Sequence, residues 1–544
     1  MQILEQWTEA PGGLARIPSP HNRRRRLLIP LIVVLACASG CKRSPSGSDV
    51  PRLTVLIIVD QLRGDELETY RPLFRHGLKR LLDEGRWYSN AMIDHGRTET
   101  AAGHATVATG VRPRVHGIID KWFYDRATAR VQYVCANNDQ TCGTDYLMAP
   151  TIGDRLKESS RVSRVVALAQ KPRSAMLLGG RRADLVAWAQ PSPVGMLGRQ
   201  NGVQGVPQWL NRFYVQVAGH DRINYLWELP RLPERFASRR DAGADELDPG
   251  HGIVFPHHLP ETAVGEDRYW GWFASPDADR ALQETAAHVV RRMELGRGEA
   301  PDLLLVSFGA FDSIGHAFGP ESLERVASFV EIDRQLGDLL EALRTSVGRR
   351  LLVALTSDHG VAPTPHQARA LGHASARVSP ESLAAVADAA LAGRYGGSAH
   401  VAAVLGPFIT LTSIPEAERR AAAATVATAL RNHPAVHAAW PVSALKSEHD
   451  PLARLMYESA HPTRAGDVAV VLEPYHAMRT KWRGEKGAEH GTPWPYDRHV
   501  PILMWGDGVE PGRVDTEVTL VDLTRTLGDR LGLEPVRGGG KPLP

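Results

Sequence analysis

The chain carries almost no net charge. Its 64 Lys and Arg stand against 61 Asp and Glu, a formal balance of +3 over 544 residues, and much of the local basic excess sits in the N-terminal arm. That balance gives no reason to expect a nucleic-acid partner. No internal repeat is visible. Cysteine is scarce, with 4 in the chain. Cys135 and Cys142 lie in the polar, turn-rich stretch YVCANNDQTCGTD, without a nearby histidine and without the spacing of a thiolate zinc motif, so a local disulfide is expected instead. Long apolar runs are missing too. The stretch LLIPLIVVLACA has the length of a signal h-region, about a dozen residues, and is short for a membrane span.

That stretch belongs to a leader over residues 1–50. Arg23 to Arg26 form a basic n-region ahead of it, and VLAC at Cys37 and ASGC at Cys41 both resemble a lipoprotein cleavage box. Cys41 is preferred, since Gly40 precedes it and the polar KRSPSGSD linker follows. The expectation is a periplasmic or outer-surface protein, touching a membrane only through an N-terminal lipid anchor on Cys41 or Cys37.

What the chain does have is a set of strand-like apolar runs that end in acids and histidines. LTVLIIVD ends in Asp60. DLLLVSFGAFD reaches Asp312, with His316 four residues on. LLVALTSDHG ends in the pair Asp358-His359. Runs at 53–60, 163–169, 302–308 and 351–356 read as strands buried on both faces, and helical patterns at 71–85, 276–295 and 321–345 lie between them. Such alternation predicts an α/β fold, with a doubly wound, mostly parallel central sheet and helices on both faces. The Trp-, Pro- and His-rich stretch at about 200–275 reads as a loop-rich cap. The stretch at about 365–470, with its Ala-rich helix, reads as a smaller α+β insertion. The core resumes near 490 with the strand VPILMWG and the helix VDLTRTLGDRLG, and residues 536–544 are expected to be a loose tail.

In open α/β sheets the carboxyl ends of strands are where ligands bind. Two metal sites can be written from the residues gathered there. Asp312, His316 and His490 would form one, and Asp60, Asp358 and His359 the other. Three mixed nitrogen and oxygen ligands with an open position is the catalytic pattern for zinc, and histidine disfavours magnesium. Singly these residues are weak signals in a chain with 22 His; the joint placement at the ends of apolar runs is what counts. A hydroxyl nucleophile is available in GRTETAAGHATVATG, where Thr100 opens a helix and meets its free N–H groups. Thr98 is the rival, and spacing alone does not separate the two.

The ordered blocks VDQLR, TETAAGHATVATGVRPRVHGI, KPR, FDSIGHAFGP, SDHG and EHGTPWPYDRHVPILMWG resemble the alkaline phosphatase superfamily over roughly residues 52–535. The nearest likeness is to the phosphate-irrepressible bacterial alkaline phosphatases that use threonine, with nucleotide pyrophosphatase/phosphodiesterases as relatives. The resemblance implies an alkaline-phosphatase-like catalytic domain over residues 51–535. It implies two Zn²⁺, with Asp60, Asp358 and His359 holding the ion that also binds Thr100, and Asp312, His316 and His490 holding the other. It implies Thr100 rather than Thr98 as nucleophile, a phosphothreonine intermediate, and Lys171 and Arg173 as the K-x-R pair that contacts phosphoryl oxygens of a monoester. One position departs. Where that branch reads H-G-I-x-G-N, this chain reads HGIIDK, so Lys121 stands where a phosphate-binding Asn is expected.

The expected activity is hydrolysis of small phosphate monoesters. Its alternatives are phosphodiester or nucleotide pyrophosphate hydrolysis at the same metals, and a non-catalytic, metal-stabilised surface binding protein. A sulfatase is disfavoured because Thr100 cannot become formylglycine.

Overall fold

The structure is a computed structural model that describes residues 50–135, 141–190, 194–218, 226–239, 241–259, 265–397, 399–479 and 486–544. The expected leader, with Cys37 and Cys41, lies outside the described residues. Among them, no helix is long and apolar enough to cross a membrane.

The strands of the core are apolar throughout because both of their faces are covered. In β1 (Leu53–Val59) every residue is buried; Val55, Ile57 and Val59 point into one hydrophobic cluster, Leu56 and Ile58 into another on the opposite face. Each fully buried Val, Leu or Ile side chain contributes about 1.5–3 kcal/mol relative to exposure. The other principal strands are β2 (Arg86–Met92), β3 (Val165–Ala169), β4 (Leu185–Gln190), β5 (Gly195–Gln200), β6 (Asp302–Phe308), β7 (Leu351–Thr356) and β8 (His499–Gly506). They lie in the order β2-β8-β7-β1-β6-β3-β4-β5 within an 11-stranded sheet. The middle five, β7-β1-β6-β3-β4, run parallel, whereas β8 runs antiparallel to β7 and β2, and β5 antiparallel to β4. This is the expected α/β architecture, and its parallel centre brings the ends of β7, β1, β6 and β3 side by side at one edge.

The helices that matter here are α1 (Thr100–Thr109), α2 (Pro172–Gly179), α3 (Gln208–Ala218), α4 (Pro276–Arg292), α5 (Ala310–Phe318), α6 (Leu323–Val347) and α7 (Leu520–Arg530). The stretch at 200–275 is less loop-like than its composition suggests. Leu210, Tyr214 and Val217, at helical spacing in α3, are buried in the main core together with Trp272 and Phe273. Residues 401–472 form a separate four-stranded sheet of Val401–Leu405, Phe408–Leu411, Val436–Pro441 and Val468–Leu472 with its own apolar cluster.

The C-terminal segment is not the loose tail the sequence suggests. Its backbone finds partners on α7, with Lys541 N–H donating to Asp522 Oδ1 at 2.8 Å and Leu543 N–H to Thr526 Oγ1 at 2.8 Å. Polar side chains on one face of that helix supply what a free tail would take from water. Cys135 and Cys142 are joined by a disulfide.

Candidate active site

The carboxylates reach the site because strands deliver them there. Asp60 directly follows β1, Asp358 and His359 follow β7, and Asp312 sits in the first turn of α5 just after β6. Since β1 lies between β6 and β7, three carboxylates from distant parts of the chain converge. His316 is one helical turn beyond Asp312 on α5, and His490 comes from the loop before β8. Asp312, His316 and His490 form one group and Asp60, Asp358 and His359 a second; within each, the potential ligand atoms lie within 4.8 Å of one another. The two groups are contiguous, since the His359 and His490 rings stack with centroids 3.5 Å apart.

The histidines are oriented by their backs. Nδ1 of His316 meets Ala488 O at 2.7 Å, that of His490 meets Thr98 O at 2.7 Å, and that of His359 meets Gly360 O at 2.9 Å. A carbonyl on Nδ1 fixes a proton there and turns Nε2 towards the site, the arrangement typical of histidine metal ligands. His359 Nε2 lies 3.2 Å from Asp60 Oδ1 and 3.5 Å from Asp358 Oδ2; His316 Nε2 lies 3.2 Å from Asp312 Oδ1.

The electrostatics describe a site short of positive charge. Asp60 is pushed above the usual carboxylate range by burial and by its neighbours Asp312 and Asp358. Burial opposes charge on Asp312 as well, yet His316 and Lys171 hold it well below that range. Burial also opposes a proton on His359, but Asp358 and Asp60 outweigh it and raise the ring to about 10. His490 is held neutral by burial and by the neighbouring His359 and His316. Asp60 Oδ1 is buried with His359 Nε2 at 3.2 Å as its charged neighbour, a place a metal cation would take over from the ring proton. The mixed Asp/His donors thus suit divalent transition metals.

Thr100 is the first residue of α1 and is buried, with Oγ1 3.2 Å from His359 Nε2. Thr98 points elsewhere, its hydroxyl donating to Thr492 O at 2.9 Å. The structure therefore separates two hydroxyls that spacing left equivalent. Helix α1 can approach because residue 103 is glycine: a Cβ there would lie 2.3 Å from Asp358 O.

Lys171, at the start of α2, places Nζ 2.5 Å from Asp60 Oδ2 and 2.6 Å from Asp312 Oδ2, bridging the two carboxylate groups. Arg173, two residues on, lies with Nε 3.9 Å from Glu99 Oε1. Lys121 is partly buried; burial lowers its pKa, and Glu99, Arg173 and Asp120 are its charged neighbours. Both cations therefore flank the N-terminus of α1.

Sequence reasoning passed over three further residues. Gln61 adopts a left-handed backbone (φ 72°), and its amide donates to Asp312 Oδ1 at 2.8 Å while its backbone N–H meets Asp358 Oδ1 at 3.3 Å. His104, one turn along α1, meets Thr100 O at 2.8 Å and lies 3.0 Å from Asp358 Oδ2. Asp120 accepts from Arg97 Nε at 2.8 Å. Gln61 and His104 sit within the motif blocks VDQLR and TETAAGHAT, and Asp120 just beyond the second in HGIIDK, but nothing in linear spacing marks their partners.

Residues 54–494 match the family model described as type I phosphodiesterase / nucleotide pyrophosphatase. The chain is 30% identical to the alkaline phosphatase PhoD of Zymomonas mobilis, over 93% of this chain and 89% of that one. It is 29% identical to the alkaline phosphatase PhoK of a Sphingomonas species, over 88% of each. The crystal structure of wild-type alkaline phosphatase PafA superposes with a TM-score of 0.81 at 22% identity, covering 91% of this chain and 98% of that one. That likeness is one of fold.

Proposed function

Because the chain belongs to the type I phosphodiesterase / nucleotide pyrophosphatase family within the alkaline phosphatase superfamily, and so is a hydrolytic enzyme, we propose that it is an exported, two-zinc phosphomonoesterase. The observation that carries this reading is the setting of Thr100 Oγ1, at a helix N-terminus and 3.2 Å from His359 Nε2, with Lys171 and Arg173 beside it. Asp60, Asp358 and His359 would hold one zinc, with Thr100, and Asp312, His316 and His490 the other. When bound, the ions supply Lewis acidity that lowers a hydroxyl pKa and neutralises charge on phosphoryl and leaving oxygens.

The protein's own part is positioning and charge. Thr100 Oγ forms a bond to phosphorus as the ester oxygen departs, giving phosphothreonine and an alcohol. Water then attacks the same phosphorus, and Thr100 leaves with its proton restored. Cations gathered around the start of α1, with the positive end of that helix, would stabilise the negative oxygens of the transferring group. A monoester dianion needs these donors more than a diester, which presents one fewer charged oxygen. The family model's own description favours a second reading, phosphodiester or pyrophosphate hydrolysis. The K-x-R pair weighs against it.

The disulfide between Cys135 and Cys142 supports residence in an oxidising compartment. A periplasmic or outer-surface location, with lipid on Cys41 or Cys37, belongs to the same proposal. The deciding experiment compares kcat/KM for an aryl phosphate, a bis-aryl phosphate and an aryl sulfate on zinc-loaded protein. The proposal expects the first to exceed the other two, and a faster diester would overturn it in favour of the second reading.

A further inference from the structure

One carboxylate stands where an anion-binding site should not want one. Glu99 immediately precedes Thr100 and is the N-cap of α1, nearly fully buried. Its Oε2 accepts from Ala101 N–H at 2.8 Å. Capping alone does not call for glutamate, since the shorter Ser, Thr, Asp and Asn are the preferred N-caps. A full negative charge at this helix end competes with any phosphoryl anion brought there.

The surrounding charges show what the carboxylate faces. Three cations crowd the start of α1: Arg97, Lys121 and Arg173. Arg97 is taken up by Asp120, at 2.8 Å, and by Gly491 O, at 2.9 Å. That pair is clamped by the insertion, because the turn between Val401–Leu405 and Phe408–Leu411 brings Gly406 against it. A Cβ on Gly406 would lie 2.4 Å from Asp120 Oδ2, at a φ of 55° that favours glycine anyway. Lys121 is tied to the same pair through its backbone N–H, which donates to Asp120 Oδ1 at 2.6 Å. Glu99 lies 3.9 Å from Arg173 and is the foremost charged neighbour of Lys121. Asp120 and Glu489 are the other acids near Lys121.

We propose that Glu99 is a positioning and specificity-determining residue: it holds Arg173 and Lys121 together beside Thr100, and its fixed charge offsets the extra cation that Lys121 brings, limiting how tightly the site grips a phosphoryl dianion. Lysine at 121 without glutamate at 99 would make the pocket too cationic to release inorganic phosphate readily. The inference rests on the phosphomonoesterase reading above and assigns the 99/121 pair to ground-state charge rather than to bond making.

The test is the sign of the change. Glu99→Gln removes the charge and keeps the shape. With an opposing charge removed, KM for an aryl phosphate and the inhibition constant of inorganic phosphate should both fall, on the order of tenfold for the dianion. KM for a bis-aryl phosphate, with half the phosphoryl charge, should fall by only about threefold on the same basis. A merely structural role would raise these constants, and raise them alike. Glu99→Asp retains the charge and should restore values near those of the parent protein. Should Glu99→Gln fail to fold, Lys121→Gln provides the mirror experiment and should raise the phosphate inhibition constant. Constants that rise or do not move in Glu99→Gln, equal shifts for monoester and diester, or an unchanged inhibition constant in Lys121→Gln would each overturn the inference. A parent protein without phosphomonoester turnover would instead overturn the proposed function, so the two failures are distinguishable.

Discussion

Replacing Lys171 by methionine should move stability, metal binding and catalysis in different directions. The ammonium sits 2.5 Å from Asp60 Oδ2 and 2.6 Å from Asp312 Oδ2, and the side chain is 11% exposed. Removing one member of a buried ion pair costs about 3–5 kcal/mol, because the partner charges are left uncompensated. Here two carboxylates lose their shared cation, so chelator-treated Lys171→Met protein should be less stable than the chelator-treated parent by at least the lower figure. Burial works against the lysine charge, but Asp312 and Asp60 outweigh it and raise the pKa above its ordinary 10.5. The stabilisation is therefore complete below that ordinary value and is lost only as pH climbs through the higher folded value.

Divalent ions on the same carboxylates would replace the missing charge. Zinc-loaded Lys171→Met protein should recover most of its stability, and should bind metal more tightly than the parent, since a competing cation is gone. Monoester kcat/KM should nevertheless fall about 10²–10³-fold, the usual loss for one transition-state donor. Paired denaturation curves with and without chelator, zinc titrations and steady-state kinetics supply the three readings. If Lys171→Met destabilises loaded and metal-free protein equally, or weakens metal binding, the ammonium is not a counter-charge for these carboxylates and the reasoning fails.

Thr100→Ala should abolish turnover while zinc content, measured by elemental analysis, stays at the parental level; substantial residual activity would transfer the nucleophile's role elsewhere. Zinc affinity should rise as pH approaches about 10, because Asp358 and Asp60 hold a proton on His359 up to that value against burial and an incoming ion must displace it; titration calorimetry in buffers of different ionisation enthalpy reads this directly, and binding without proton release would refute it. Burial lowers the pKa of Lys121, so monoester KM should begin to rise at a lower pH than an ordinary lysine would allow. Lys121→Asn should remove that limb, and an identical pH profile would place Lys121 outside the site.

The candidate metal-ligating groups were legible in the sequence for a specific reason. Acids at the ends of doubly buried strands have no packing explanation, and a parallel sheet puts all such ends on one edge. The same logic yielded the fold class. The supporting residues were illegible because their role lies in contacts between distant segments. Gln61 matters through its bonds to Asp312 and Asp358, some 250 to 300 positions away, and His104 through Asp358 and Ser307. Spacing did not separate Thr98 from Thr100, whereas the structure does, since the former's hydroxyl donates to Thr492 O. The helix at 208–218 escaped notice because its four buried positions lie among aromatic and polar residues that blur the period. Composition made the C-terminal segment look loose, although its glycines are what let it lie close on α7: a Cβ at Gly540 would lie 2.4 Å from Val521 C.

The antiparallel course of β8 has a consequence for how the molecule is made. Because β8 opposes its neighbour β7, its beginning, not its end, lies on the edge where the parallel strands finish, and the loop before it can deliver His490 beside Asp312 and His316. One ligand of that group therefore comes from the last tenth of the chain, and the strand that anchors it ends at Gly506. A chain emerging from a ribosome or a translocation pore can assemble Asp60, Asp358 and His359 well before it can complete the other group. If both groups hold metal, as proposed, capture would be ordered in time, the group with His490 being completed last. A truncated or stalled product would carry at most half a reaction centre and remain catalytically silent.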